Sequence, residues 1–253
     1  MTRLARPSVD GDESMARLDD SLRGLVVATN ARRAGLELQG AAAFEAVTQA
    51  LIDLRAPTSI IELSRRAVSD ELRHSDLYVT LARAYSEEEV PTPQPASPPI
   101  PRYPAAGANG ERLLQVVGMC CINETMACSF LELCFAGARV PLVREGIRQI
   151  LEDEIRHARV GWAYLGSGCF GEDERRLVSA WLLPILREQW THWREHIGSL
   201  AREDLAEHGC PSPVAIEQAS FESMRTLVLP GFARAGVDVV PARQWVEDRG
   251  EAP

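Results

Sequence analysis

The pentapeptide DELRH at residues 70–74 occurs a second time as DEIRH at residues 153–157. Both copies lie in stretches whose apolar residues recur at helical spacing, so each places a glutamate and a histidine on one face of a helix. A helix that buries such a face needs partners for both polar groups. The repeat therefore predicts that two helices meet through a shared polar site, and this requirement constrains the fold more than any other feature.

The repeat extends beyond the pentapeptides. Pro57 lies 14 positions before Glu71, and Pro141 lies 13 positions before Glu154. Proline is tolerated in the first turn of a helix and not in its interior, so each proline marks a helix start at a similar distance from its motif. The two copies therefore belong to two helices of similar construction.

Glutamates upstream of each copy extend the comparison. Glu124 lies 30 positions before Glu154 in an otherwise apolar run, where an unpaired carboxylate is hard to tolerate. In the first half, Glu37 lies 34 positions before Glu71 and Glu45 lies 26 before it, so this spacing does not choose between them. The distance to the proline that starts the next helix favours Glu37, and Glu45 remains the alternative.

Helical periodicity runs through most of the chain, and long alternating runs of β-branched residues are absent, so we expect an all-α protein. The predicted helices cover residues 14–55, with Asn30 as the candidate point of a break, then 58–87, 111–136 and 141–164. Residues 90–110 are rich in proline and predict a stiff, extended connection. Two helix pairs with short loops, joined by one long crossover, describe a four-helix bundle.

We expect three regions: a flexible N-terminus at 1–13, the bundle at 14–168, and a C-terminal helical extension at 169–253 packed on it. Within the extension, helices are predicted at 172–207, with a kink or break at Pro184, and at 213–227. Gly231, Gly236 and Pro241 are expected to interrupt the remaining tail.

The composition excludes several classes of protein. A formal net charge of −9 argues against binding to nucleic acid or to an anionic membrane surface. The N-terminus has no apolar core of a signal peptide, and no stretch suggests a membrane span, so we expect a soluble protein. The six cysteines show no CxxC spacing, which favours free thiols in a reducing cytoplasm.

Four carboxylates and two imidazoles in one bundle interior would carry a charge of about −4 without a counter-ion, and two divalent cations would cancel it. Carboxylate oxygens mixed with imidazole suit iron or manganese better than a thiolate-rich zinc site would. The candidate metal ligands are Glu37, Glu71, His74, Glu124, Glu154 and His157.

This ligand pattern resembles the ferritin-like di-iron carboxylate superfamily, and the DExRH form is similar to the hydroxylase subunits of bacterial multicomponent monooxygenases. The resemblance spans residues 37–157. It implies a ferritin-like four-helix bundle, with additional helices after it, and two iron ions bridged by the catalytic Glu71 and Glu154. Manganese is the alternative metal at one or both positions.

The same resemblance implies a supporting layer around the ligands. Asp70 and Asp153, each four positions before a histidine, would accept hydrogen bonds that fix the imidazoles. Arg73 and Arg156 would hold those two carboxylates in turn.

Three departures separate the chain from other di-iron classes. Ala127 stands where rubrerythrin-like peroxidases carry a further glutamate, and Ile150 stands where arylamine N-oxygenases carry a further histidine. The long C-terminal tail is absent from storage ferritins.

One turn past Glu37 and Glu124 the residues are small, Ala41 and Cys128, which predicts a pocket for an organic molecule beside the metals.

We therefore expect an oxygenase or oxidase that uses dioxygen and an external electron donor to oxidise a small organic substrate, in specialised metabolism. The alternatives are a ferroxidase or metal-binding stress protein without an organic substrate, and a metal-free helical interaction module. The stretch HWREH, from His192 to His196, matches an inverted zinc-protease motif. Its Trp-rich surroundings favour packing or the face of a homodimer, so we expect both histidines to be dispensable for metal binding.

Overall fold

The computed structural model of the chain describes residues 15, 18–94, 100–198, 203 and 205–250. In this part of the chain every named element is helical, and β pairing is limited to an isolated bridge between Leu205 and Cys210. The expectation of an all-α protein is confirmed for these residues. The predicted flexible segment at 1–13 and the predicted helix start at 14 lie outside them.

Four long helical stretches correspond to the predicted bundle. They are α1 (Asp20–Asp53), α2 (Thr58–Ala84), a third stretch, and α5 (Pro141–Leu165). The third stretch comprises α3 (Gly107–Val116), a π-helical turn (Val117–Asn123) and α4 (Glu124–Gly137). Helix α1 packs on α2, α2 on α5, α5 on α4 and the π-helical turn, and α3 on α1. The four stretches therefore enclose a common interior.

Local signals explain where these helices begin and end. The side chain of Asp19 accepts a hydrogen bond from the backbone N–H of Leu22 at 2.8 Å and caps the start of α1. Arg55 lies two residues after the end of α1. Its φ of 55° is a conformation that does not continue a helix. Pro141 occupies the first turn of α5 as expected.

Two features of the bundle differ from the sequence-based expectation. Helix α1 is not broken at Asn30, because the buried Asn30 amide donates to the carbonyl of Val26 one turn earlier at 2.9 Å and stays within the helix. The π-helical turn ahead of Glu124 was not expected. A π turn inserts a residue into the α-helical repeat and shifts the direction of the side chains that follow it.

The C-terminal region contains α6 (Glu172–Gly198), α7 (Pro213–Ser223), α8 (Leu229–Arg234) and α9 (Val240–Gly250), and a second π-helical turn (Met224–Val228) joins α7 to α8. Helix α6 contacts α3 and the first π-helical turn, and α7 contacts α4. Pro184 lies within α6 without ending it. The predicted extension of this helix to 207 is wrong, because Leu205 pairs with Cys210 in an isolated β bridge and Ala206–His208 form a 3₁₀ turn.

The expectation that Gly231 and Pro241 interrupt the tail is wrong. Pro241 occupies the first turn of α9, where the missing N–H has no helical partner to lose. Gly231 lies inside α8, where an added Cβ would approach the ring of Trp162 to 2.6 Å. Its role there is close packing against α5. Gly236, with a φ of 81°, does separate α8 from α9.

The continuous helix Pro104–Gly137 is the one stretch among the described residues that is long and apolar enough to cross a membrane. Within its most apolar window, 67% is buried inside the protein. A core helix of a soluble protein has this property, because its apolar surface is covered by neighbouring helices.

Candidate metal centre

The interior between the four stretches collects six potential metal-binding side chains into two overlapping groups. One group contains Glu37, Glu71, His74 and Glu154, and the other contains Glu71, Glu124, Glu154 and His157. In each group, one ligand atom per residue lies within 4.8 Å of all the others. Glu71 and Glu154 belong to both groups, so these two glutamates stand where they could bridge two ions.

The two histidines present equivalent atoms to the carboxylates. Nδ1 of His74 lies 3.2 Å from Glu154 and 3.4 Å from Glu37. Nδ1 of His157 lies 3.2 Å from both Glu71 and Glu154. The ring centroids are 5.7 Å apart. The two halves of the site are thus arranged in the same way around the shared glutamates.

Each imidazole faces an aspartate from the other copy of the repeat. Nε2 of His74 lies 3.2 Å from Asp153, and Nε2 of His157 lies 3.5 Å from Asp70. The expectation that these aspartates contact the imidazoles agrees with this geometry, and the crossing between α2 and α5 is new. Such a contact fixes the ring orientation and leaves Nδ1 directed at the carboxylates.

Two arginines contact these aspartates from the protein surface. Arg73 donates to Asp70 at 2.8 Å and also to Asp153, while Arg156 pairs with Asp153. The arginine side chains are about half exposed, whereas both aspartates are buried. Arg73 therefore ties together the two copies of the repeat.

The electrostatics of the cluster reflect four buried carboxyl groups packed close together. Burial, together with repulsion from Glu71, raises the pKa of Glu37 well above its ordinary value, and burial with repulsion from Glu154 does the same for Glu124. Burial also opposes ionisation of Glu71 and Glu154, but hydrogen bonds to His157 and His74 outweigh it and lower both pKa values.

The imidazoles respond in the opposite direction. Burial disfavours their charged forms, yet hydrogen bonds to the surrounding carboxylates outweigh burial and raise the pKa of His74 and of His157 to about 12. Without metal, protons therefore supply the positive charge that this interior needs. Two divalent cations would supply it instead and release those protons.

The distances between the ligand atoms are also compatible with a bound metal ion. Nδ1 of His74 is buried and lies 3.2–3.4 Å from carboxylate oxygens of Glu154 and Glu37, but neither contact is well aligned for a hydrogen bond. A buried polar atom without a partner is costly unless something else satisfies it. An ion held between this nitrogen and the carboxylates would do so.

The structure distinguishes the two candidate glutamates of α1. The side chain of Glu37 is 16% exposed and reaches the cluster, whereas Glu45 is exposed to solvent. Eight positions along a helix correspond to a rotation of about 80° beyond two full turns, so the two residues face different directions. Glu37 therefore supplies the carboxylate of this helix.

Gly40 makes room for the shared glutamate Glu71. A Cβ added at Gly40 would lie 2.9 Å from Oε2 and 3.0 Å from Cδ of Glu71. The position lies in the middle of α1, where glycine is otherwise unfavourable. The close approach of the Glu71 carboxylate to the α1 backbone accounts for the glycine.

A cavity of about 310 Å³ adjoins the cluster, and Glu37, Glu71, Glu124 and Glu154 all form part of its wall. The predicted pocket residues Ala41 and Cys128 are not among those that line it. Gly40 and Ala127 line it instead. In both helices the third position after the ligand faces the cavity and the fourth does not, so the small residues expected there were placed one position too far along.

Helix α6 and the crossover also form part of the cavity wall. Gln189, His192, Trp193 and His196 line it from α6, and the hydroxyl of Tyr103 donates to Glu188 at 2.6 Å and joins the crossover to the same helix. The HWREH stretch thus lies on a cavity wall. Neither of its histidines belongs to the two groups of potential metal ligands among the described residues.

Asn123 connects α6 to the cluster, and sequence reasoning missed it. Its amide donates to Glu124 at 3.1 Å and accepts from Nε1 of Trp193 at 3.1 Å. Asn123 is the last residue of the π-helical turn, which sets its direction. The signal for Asn123 in the sequence was its position directly before Glu124, a glutamate in an otherwise apolar run.

Comparisons with models of protein families, with curated proteins and with solved structures give no match to this chain.

Proposed function

We propose that this chain is a ferritin-like, non-haem di-iron oxygenase or oxidase that uses dioxygen to oxidise a small organic molecule. The observation that carries the proposal is the pair of overlapping ligand groups that share Glu71 and Glu154, next to a cavity large enough for a small molecule. Catalytic sites of this kind require both a reactive centre and space for a substrate beside it.

Glu37, Glu71, His74 and Glu154 would hold one ion, and Glu71, Glu124, Glu154 and His157 the other. This mixture of oxygen and nitrogen donors suits iron, with manganese as the alternative. A bound pair of ferrous ions would supply two electrons for the reduction of dioxygen.

The surrounding residues would position the ligands and exclude water. Asp153 and Asp70 orient the two imidazoles, and Asn123 holds the carboxylate of Glu124. The ring of Phe44 lies edge-on to His157 at 5.0 Å and is fully buried. A buried, fixed arrangement of this kind strengthens electrostatic interactions within the site.

The cavity favours an organic substrate over simple oxidation of iron. Its wall combines the four glutamates with apolar side chains such as Val47, Phe130 and Leu131. Contact with an apolar wall does not stabilise a hydrated iron ion, whereas a small organic molecule is stabilised when its apolar surface is buried against one. This contrast is our reason for preferring the oxygenase over the ferroxidase.

Repeated turnover would depend on an external electron donor, since the sequence contains neither a nucleotide-binding glycine motif nor the cysteine spacing of an iron–sulfur cluster. We place the reaction in the cytoplasm. We also propose that two copies of the chain form a homodimer.

The test is dioxygen consumption by the iron-loaded protein, measured with and without a chemical reductant. We expect one rapid stoichiometric uptake without reductant and continued uptake with it. The Glu154→Ala variant should lose both, while Glu45→Ala should retain both. Oxidation of iron without continued uptake in any condition would favour the ferroxidase, and no oxidation of bound iron would refute the oxygenase.

A further inference from the structure

Arg33 is a buried cation in the wall of the cavity, one turn before Glu37 on α1. The residue is only 4% exposed to solvent. Nη1 donates to the carbonyl of Gly209 at 2.9 Å, and Nη2 has a long contact of 3.9 Å with the sulfur of Cys134. Nε has no hydrogen-bond partner. The Nε–H group of Arg33 can therefore still donate a hydrogen bond to a ligand.

Neutral groups surround this cation. The guanidinium lies over the ring of Phe130 at 5.0 Å and near that of Tyr78 at 5.7 Å. Burial raises the pKa of the Cys134 thiol to about 12, so the sulfur beside Arg33 is uncharged at neutral pH. Among the described residues, no carboxylate lies within ion-pair distance of Arg33, although Glu37 contributes a longer-range attraction.

Metal binding would leave this charge without compensation. The four glutamate charges would neutralise the two divalent ions. The charge of Glu37 would therefore not be available to compensate that of Arg33. Arg33 would then remain as an unpaired positive charge in the wall of the chamber. An isolated buried charge is costly, and an anion that enters the chamber would remove much of that cost.

The rest of the chamber is suited to an apolar body with a polar end. Val47, Met119, Phe130, Leu131 and Trp193 supply apolar wall. His196 lies at the same end as Arg33, since its ring is 6.5 Å from that of Phe130, and the charges of Arg33 and Arg32 act on it. Gln189 adds an amide to this wall.

We infer that the cavity binds an organic monocarboxylate, with its carboxylate at the Arg33 end and its apolar body extending toward the metal ligands. As a statement about the substrate, this inference rests on the proposed oxidative function. As a statement about the ligand, it is tested by binding alone, so its failure and the failure of the oxygenase proposal are separate results.

The first test uses the metal-loaded protein and three probes of equal chain length: octanoate, 1-octanol and octylamine. Binding is measured by isothermal titration calorimetry. We expect octanoate to bind about 10- to 100-fold more tightly than 1-octanol, the range of a charge-assisted hydrogen bond in a buried site, and octylamine not to bind. Equal binding of octanoate and 1-octanol, or no octanoate binding below about 1 mM, would overturn the inference.

The second test locates the carboxylate. Arg33→Gln should reduce octanoate affinity about 10- to 100-fold while leaving 1-octanol binding unchanged. Arg32→Gln, on the exposed side of the same helix, should change neither. Unaltered octanoate binding in folded Arg33→Gln would refute the assignment.

A third measurement on the unmutated protein holds even if Arg33→Gln fails to fold. The protein is loaded with cobalt(II), and its visible absorption spectrum is recorded with and without saturating octanoate. A carboxylate held by Arg33 leaves the ligands of the metals unchanged, so we expect the positions and intensities of the bands to stay the same. A new spectrum typical of an added carboxylate ligand would show that octanoate binds the metal and would contradict the inference.

Discussion

Nε2 of His74 lies 3.2 Å from the carboxylate of Asp153, which belongs to the other copy of the repeated motif. The reciprocal contact joins His157 to Asp70 at 3.5 Å. Each histidine is therefore positioned by the opposite helix. The packing of α2 against α5 and the geometry of the candidate metal centre consequently depend on the same side chains.

Asp153→Asn should weaken metal binding. The amide keeps the shape of the side chain but loses the negative charge that orients His74 and pairs with Arg73 and Arg156. Loss of such an outer partner lowers metal affinity about 10- to 100-fold. Competition with a chelator measures the change. Asp76→Asn, on the exposed face of α2, is the control, and equal loss in both variants would contradict the role of Asp153.

Gly40→Ala should separate folding from metal binding. The new methyl group would meet the flexible end of Glu71 at 2.9 Å, so the side chain can move aside while the helix gains alanine's higher propensity. We expect thermal stability of the metal-free protein to be kept and metal affinity to fall about 10-fold or more.

Gly24→Ala is the matched control for Gly40→Ala, because it lies in the same helix with nothing within 4 Å of the added Cβ. It should leave metal affinity unchanged. If both variants bound metal like the unmutated protein, Glu71 would not need the space that Gly40 provides.

Glu37→Gln should reduce metal content by about one ion per chain, because it removes the charge of one ligand from a single group. Glu45→Gln should have no effect, since that side chain is exposed. Elemental analysis after iron loading and desalting measures both. The reverse outcome would assign the ligand to Glu45.

His196 should make stability depend on pH while leaving metal content unchanged. Burial, with the nearby charges of Arg33 and Arg32, lowers the pKa of His196 to about 4 from an ordinary value of 6.5. The unfolded chain therefore binds a proton between these values that the folded chain does not. The contribution of neutral His196 is complete above pH 6.5 and is lost as the pH falls toward 4.

The corresponding measurement is urea unfolding of the protein and of His196→Gln at pH 7 and pH 5. The unmutated protein should lose about 1–2 kcal/mol more stability over this interval than the variant, a range reduced for partial exposure of the ring. The comparison cancels titration of the metal cluster. Equal losses would show that His196 does not titrate as described, and a lower metal content in the variant would make it a ligand.

The sequence predicted much of the bundle because its signals are local. Pro57 and Pro141 stand where α2 and α5 begin, and the spacing within each motif places Glu71 and Glu154 on the same helix faces as their histidines. The choice between Glu37 and Glu45 needed the structure, because their spacing to the motif was equally consistent with a ligand.

Features that depend on packing between distant segments could not be predicted in this way. The π-helical turn before Glu124 and the crossing of Asp70 and Asp153 arise only when the helices meet. The cavity position of His196 depends on α6 folding back over the bundle. Composition and periodicity report the face of a helix, not which neighbour covers it.

The most direct test of the central claim is X-ray diffraction from crystals of the iron-loaded protein, with anomalous data collected on both sides of the iron absorption edge. Two anomalous peaks, about 3.5–4 Å apart and both next to Glu71 and Glu154, are the predicted result. One peak, or peaks away from these two glutamates at full iron loading, would contradict a dinuclear centre built on the repeated motif.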